Sequence, residues 1–188
     1  AVDWKQLADD PFVALNAACV STNQRLSTSD VDVYVSGSTA IIAFLRGSRV
    51  YVANVGDSRA VLARTAAGGE LRALDLSNDQ KPDRPDEQAR IVASGGRVFE
   101  WGVPRVWLKD VDMPGLAMAR SFGDLAAESV GVFAEPELSQ VTLKPTDRAM
   151  ILASDGVWEF ISSQEAVDLI APFVESGDPQ AAADALVA

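Results

Sequence analysis

An apolar run that ends in acid sets the terms for this chain. Within Arg148–Phe160 (RAMILASDGVWEF), residues Ala149, Met150, Ile151, Leu152 and Ala153 have the length and composition of a strand buried on both faces, and the run stops at Ser154-Asp155-Gly156. A carboxylate at the end of a core strand costs several kcal/mol unless positive charge compensates it, and Gly156 lets the backbone turn close to such a charge. A bound cation answers that need. A plain Asp-Gly turn, the commonest fate of this dipeptide, accounts for the same residues. Four residues on, Glu159 adds a second carboxylate among Val157, Trp158, Phe160 and Ile161, which read as core.

The chemistry open to the chain is narrowed by what it lacks. It contains no histidine, which removes Ser-His-Asp and Cys-His nucleophilic schemes, His-ligated zinc and His general bases together. Carboxylates, Lys, Arg, hydroxyls and hard metal ions held by oxygen remain. With 27 acidic against 16 basic residues, a net charge of −11, nothing favours the phosphate-tracking mode of nucleic-acid binding or adhesion to anionic lipid. A cation or a basic protein partner suits that charge better. No apolar run approaches the ~18 residues of a membrane span. The single cysteine, Cys19, falls in a helical pattern as a small buried hydrophobe, and the N-terminal AVDWKQLADD lacks the basic and apolar parts of a signal peptide. These features lead us to expect an intracellular protein, cytoplasmic or nuclear, acting as a monomer. A length of 188 residues with 48% hydrophobic content suits one domain, residues 1–188, with a core of its own.

The pattern along the chain is of short strands with helices at both ends. Asp10-Pro11 reads as an N-cap and first helical residue, with Phe12, Leu15, Cys19 and Leu26 at helical spacing down to the polar break at Ser27. Ala40–Leu45 and Arg49–Asn54 read as a hairpin across Gly47-Ser48, and Ala60–Ala63 and Leu71–Leu76 as further strands. Glu87–Ala93 reads as a short helix, with Asp83 or Asp86 as its cap and Gly95-Gly96 as its end. Arg97–Asp112, with Trp101, Pro104 and Trp107, has little periodicity and reads as an irregular loop or flap. Gly115–Met118 and Leu138–Leu143 are strands, Ser162–Glu165 is a capping box opening a helix through Ile170, and Asp178 starts another. The class this predicts is α+β, with layered antiparallel sheets covered by helices.

Asp57, in NVGDSR, also follows a strand through a glycine-flanked turn. If strand ends converge, Asp57, Asp155 and Glu159 make an oxygen-only pocket suited to Mg²⁺ or Mn²⁺. A salt bridge from nearby Arg59 is the rival account of Asp57. The order of motifs then resembles the type 2C metal-dependent protein serine/threonine phosphatases. The shared blocks are SGSTAI (36–41), VANVGDSRAVL (52–62), DQKPDRPDEQARIVASGGRV (79–98), PGLAMARSFGD (114–124), AEPE (134–137) and ILASDGVWEFIS (151–162).

That resemblance implies a β-sandwich flanked by helices and a binuclear Mg²⁺/Mn²⁺ centre. The implied activity is hydrolysis of phosphoserine and phosphothreonine in phosphoproteins by attack of a metal-activated water. It makes Asp155 a core metal ligand and places Asp57 and Glu159 around an additional, weaker metal, the glutamate standing where aspartate is common. Trp101 and Trp107 fall in the family's variable flap, where contact with a protein substrate and packing of the flap are both open to them. The family's N-terminal Asp-Gly-His-Gly block, its phosphate-gripping arginine and its closing Asp-Asn block are not among these residues. They therefore read as the central part of the domain, holding one core ligand and no family catalytic residue, and expected to be inactive alone. A phosphatase-like binding or regulatory module without metals is the alternative.

Overall fold

The computed structural model describes residues 4–188. It begins with helices α1 (Trp4–Asp9) and α2 (Pro11–Ser27), followed by strands β1 (Gly37–Ser38), β2 (Ala40–Arg46), β3 (Arg49–Val55), β4 (Arg59–Thr65) and β5 (Leu71–Asp75). Helix α3 (Pro85–Ala93) precedes β6 (Arg97–Trp101), β7 (Val103–Trp107), β8 (Pro114–Leu116), β9 (Phe122–Gly123) and helix α4 (Leu125–Glu128). Strands β10 (Glu137–Thr142) and β11 (Asp147–Ala153) lead to helices α5 (Asp155–Trp158), α6 (Ser163–Ser176) and α7 (Pro179–Val187). This is the mixed helix and antiparallel-sheet class that the sequence predicts. No helix among the described residues is long and apolar enough to cross a membrane.

The chain divides into two compact units, of which one comprises Ile41–Val52, Ser58–Asn78 and Ser139–Ala188. Its organising strand is β4, whose residues alternate between two cores as the period-2 geometry of a strand requires. Ala60 and Leu62 join Val50 and Val52 of β3 and Met150 of β11 in one apolar cluster. Val61 and Ala63 face the other way, onto Ile151, Trp158, Ala166, Val167 and Ile170. The β11–β4–β5 sheet thus has the β10–β3–β2 sheet on one face and helices on the other. Strand β11 pairs antiparallel with β4 at the edge of its sheet, with Leu152 exposed, so it is not buried on both faces as its composition suggests. Ser162 and Glu165 form the expected capping box, and α6 runs past Pro172 to end at Gly177 in the left-handed region, φ 70°.

The other unit holds the residues up to Ala40, Ala53–Asp57 and Asp79–Leu138. Asp10 caps α2 as expected, accepting from the N–H groups of Phe12 and Val13. Ile91, Val106, Ala119, Ala127, Val130 and Val132 form its main apolar cluster. Helix α3 has Arg84 as its N-cap residue and no side-chain cap, so neither Asp83 nor Asp86 plays that part. The expected irregular loop at Arg97–Asp112 is instead a hairpin: β6 and β7 pair antiparallel around Gly102, and β8 pairs with β7. Val98 and Val106 line the core face of this hairpin while Phe99, Trp101 and Trp107 stack on the other, so both faces are apolar and no in-out alternation shows in the sequence.

Candidate functional site

Asp155 occupies the first position of α5, directly after β11, with Ser154 as the N-cap residue. The Glu159 N–H donates to the Asp155 carbonyl at 2.9 Å, which closes a helical turn and puts the two carboxylates on one side of it. Asp155 is half-buried and Glu159 exposed. Two contacts brace the turn from behind. The Trp158 indole N–H donates to the Ala153 carbonyl at 2.8 Å, and the Arg59 guanidinium lies 5.1 Å from the Trp158 ring while donating to Ser163 Oγ at 3.0 Å. The Asp-Gly turn foreseen as an alternative is therefore the opening of a short helix.

Asp57 lies in the other unit and is 1% exposed. The Lys81 ammonium approaches its Oδ2 to 2.6 Å, so the cationic partner of Asp57 is Lys81 on a distant turn. Gln80 fixes the approach: its side-chain oxygen accepts from the Gly56 N–H at 2.6 Å, its amide donates to the Asn54 carbonyl at 3.1 Å, and its own N–H donates to the Gly56 carbonyl. Gly56 has φ +100°, and a Cβ there would lie 2.3 Å from Thr39 Cγ2, so the turn carrying Asp57 needs glycine. The local signal for Lys81 was its place in DQKPD, next to Gln80.

The two flap tryptophans differ. Trp107 is 3% exposed, sandwiched by Phe99 at 4.9 Å and Trp101 at 5.6 Å between ring centroids. Trp101, at the hairpin tip, is 69% exposed. Packing describes Trp107, while Trp101 presents a free ring face.

A profile of the family described as protein phosphatase 2C matches residues 5–188. The chain belongs to the protein phosphatase 2C family. Among its relatives, "Probable protein phosphatase 2C 73" of Arabidopsis thaliana is 44% identical over 162 residues, covering 84% of this chain and 43% of that protein. "Probable protein phosphatase 2C 35" of the same plant is 41% identical over 201 residues, covering 95% and 58%. The crystal structure of serine-threonine phosphatase 2C from Toxoplasma gondii superposes with a TM-score of 0.77 at 28% identity, over 97% of this chain and 60% of that one. The chain spans about half the length of the curated relatives it matches.

Protein phosphatases 2C are, as a family, metal dependent. The donors on this chain fit Mg²⁺ or Mn²⁺ in kind, being carboxylate oxygens alone. They fall short in number: among the described residues no group of three or more His, Cys, Asp or Glu side chains gathers as a metal site requires. Asp155 and Glu159 offer two acids on one turn, and Asp57 already has a cationic partner.

Proposed function

We propose that the full-length protein hydrolyses phosphoserine and phosphothreonine esters on phosphoproteins, acting as a monomer inside the cell with Mg²⁺ or Mn²⁺ as cofactor. The observation that carries this reading is Asp155, an acid presented at a strand-to-helix turn braced by the Trp158–Ala153 hydrogen bond. When bound, the divalent ions supply Lewis acidity that neutralises phosphate charge and lowers the pKa of water. The residues of this chain do the holding: Asp155 is the metal-binding carboxylate, Glu159 a second acid on the same turn, and Asp57 an acid of the weaker site, balanced by Lys81. Trp101 contacts the protein substrate, with Trp107 beneath it as support.

A second reading, a phosphatase-like binding module without metals, is favoured by the Asp57–Lys81 pair, since an ammonium 2.6 Å from the acid supplies the charge a metal would. Phosphate release from a phosphothreonine peptide by the full-length protein, with Mn²⁺ or with chelator, separates them. The phosphatase reading expects Mn²⁺-dependent turnover that Asp155→Asn abolishes. Undiminished turnover in the variant rejects the role given to Asp155, and no turnover with any divalent ion selects the module. The 188 residues alone should release no measurable phosphate.

A further inference from the structure

The turn that presents Asp155 cannot hold its own shape. Helix α5 is four residues long, its N-cap Ser154 makes no side-chain cap bond, and Gly156 stands second in it. A single helical turn fixes several dihedrals for very few hydrogen bonds and is unstable by itself, and glycine adds backbone freedom to lose. The direction in which the Asp155 carboxylate points is therefore set from outside the turn.

Arg59 supplies the outside contact. It opens β4 and pairs with Ala153, the last residue of β11, so its backbone belongs to the sheet. Its guanidinium lies 5.1 Å from the centroid of the Trp158 ring and donates through Nη1 to Ser163 Oγ at 3.0 Å, at the start of α6. Trp158 is 8% exposed, and its indole N–H returns to the Ala153 carbonyl at 2.8 Å. The loop of contacts runs from the sheet to the end of α5, on to α6, and back to the residue two before Asp155. All of these residues belong to one compact unit.

A planar guanidinium can lie flat on an aromatic ring and still donate in its own plane, whereas an ammonium cannot do both. Its charge works the other way. A fixed cation near a site for Mg²⁺ or Mn²⁺ repels the ion, so on charge alone this is a poor place for arginine. We propose that Arg59 is a positioning residue for the metal site: it fixes the α5 turn through Trp158 and Ser163, and thereby the direction of the Asp155 carboxylate, by more than its charge opposes the ion. The proposal rests on the reading of Asp155 as a metal-binding carboxylate given above.

The test is calorimetric titration of Mn²⁺ into the metal-free full-length protein and its variants Arg59→Met, Arg59→Lys, Ser163→Ala, Asp155→Asn, and Arg59→Met combined with Asp155→Asn. Beside it, ¹⁵N spectra of the metal-free proteins follow the Trp158 indole resonance, assigned by its loss in Trp158→Phe. Groups bonded to a metal ligand typically cost 10–100-fold in affinity when removed, and Arg59 acts one contact further out, so Arg59→Met should weaken Mn²⁺ binding about tenfold. Arg59→Lys should weaken it about as much. Ser163→Ala, which leaves every charge in place and keeps the proposal decidable should Arg59→Met not fold, should weaken it several-fold. Arg59→Met and Ser163→Ala should each move the Trp158 indole resonance before any metal is added. In the Asp155→Asn background Arg59→Met should change affinity by less than about twofold, because the group through which it acts is gone. Tighter Mn²⁺ binding in Arg59→Met, wild-type affinity in Arg59→Lys or Ser163→Ala, an unmoved indole resonance, or a tenfold effect that persists without Asp155 overturns the proposal alone. An Asp155→Asn variant that binds Mn²⁺ as tightly as wild type rejects the metal reading itself, and the proposal with it.

Discussion

Replacing Glu87 by glutamine isolates the largest charge network in the described residues. Glu87 is fully buried on α3, and its carboxylate takes Arg90 at 2.6 Å, Arg120 at 2.7 Å and Arg84 at 3.1 Å. The Arg90 and Arg120 guanidiniums also lie 4.2 and 5.1 Å from the Phe133 ring, so the carboxylate anchors a stack as well as charge. Removing one partner from a buried ion pair costs about 3–5 kcal/mol, because the charge left behind stays desolvated. Glutamine keeps the shape and one acceptor oxygen, which puts the expected loss at the lower end, about 3 kcal/mol, or roughly a hundredfold in the folding equilibrium. At about 2–4 °C per kcal/mol for chains of this size, the midpoint should fall by about 6–12 °C.

The pH dependence supplies an independent check. Burial pushes the Glu87 carboxyl up, but hydrogen bonds from Arg90 and Arg120 outweigh it and hold the pKa below the usual glutamate range. A depressed carboxylate contributes stability that is present above the unfolded pKa of about 4.3 and is lost as pH falls through the folded value. Urea unfolding followed by circular dichroism, from pH 7 down to pH 3, should therefore show wild type and Glu87→Gln far apart at neutral pH and converging in acid. A variant within about 0.5 kcal/mol of wild type at pH 7 would show that the Glu87 carboxylate holds no buried charge network, because such small effects belong to solvated surface groups.

Two smaller predictions concern other groups. The Arg64 guanidinium bonds both oxygens of the Asp147 carboxylate at the start of β11 and holds it below the usual range; Asp147→Asn should cost about 1–3 kcal/mol in urea unfolding at pH 7, a gap that closes as pH falls through the depressed pKa. Burial pushes the Cys19 thiol up to about 11 from 9.0, so iodoacetamide at pH 8 should alkylate the native protein about a hundredfold more slowly than the urea-unfolded one, a difference read by mass spectrometry.

Elements whose local pattern matched their surroundings were legible in advance. Asp10-Pro11 and Ser162–Glu165 are cap chemistry that acts within one turn, and both helices start where those residues place them. Strand β4 was legible because its apolar residues are consecutive and both faces are covered. Strand β11 has the same composition, but the edge position that exposes Leu152 is a property of strand order, which composition does not record. The β6–β7 hairpin was hidden by aromatic residues on the face opposite the core and by Pro104 within β7. At the candidate site, Asp155 stood out as an acid after an apolar run, whereas Lys81 as the partner of Asp57 depends on the pairing of Gln80 with Gly56, a contact between distant turns.

The measurement closest to the heart of this account is calorimetric titration of Mn²⁺ into the metal-free full-length protein and its Asp155→Asn variant. If Asp155 is a metal-binding carboxylate, the variant loses at least tenfold in affinity at the tighter site while keeping its far-ultraviolet dichroism. Identical Mn²⁺ isotherms for the two proteins would contradict it, and would leave the acid after β11 as a feature of the turn alone.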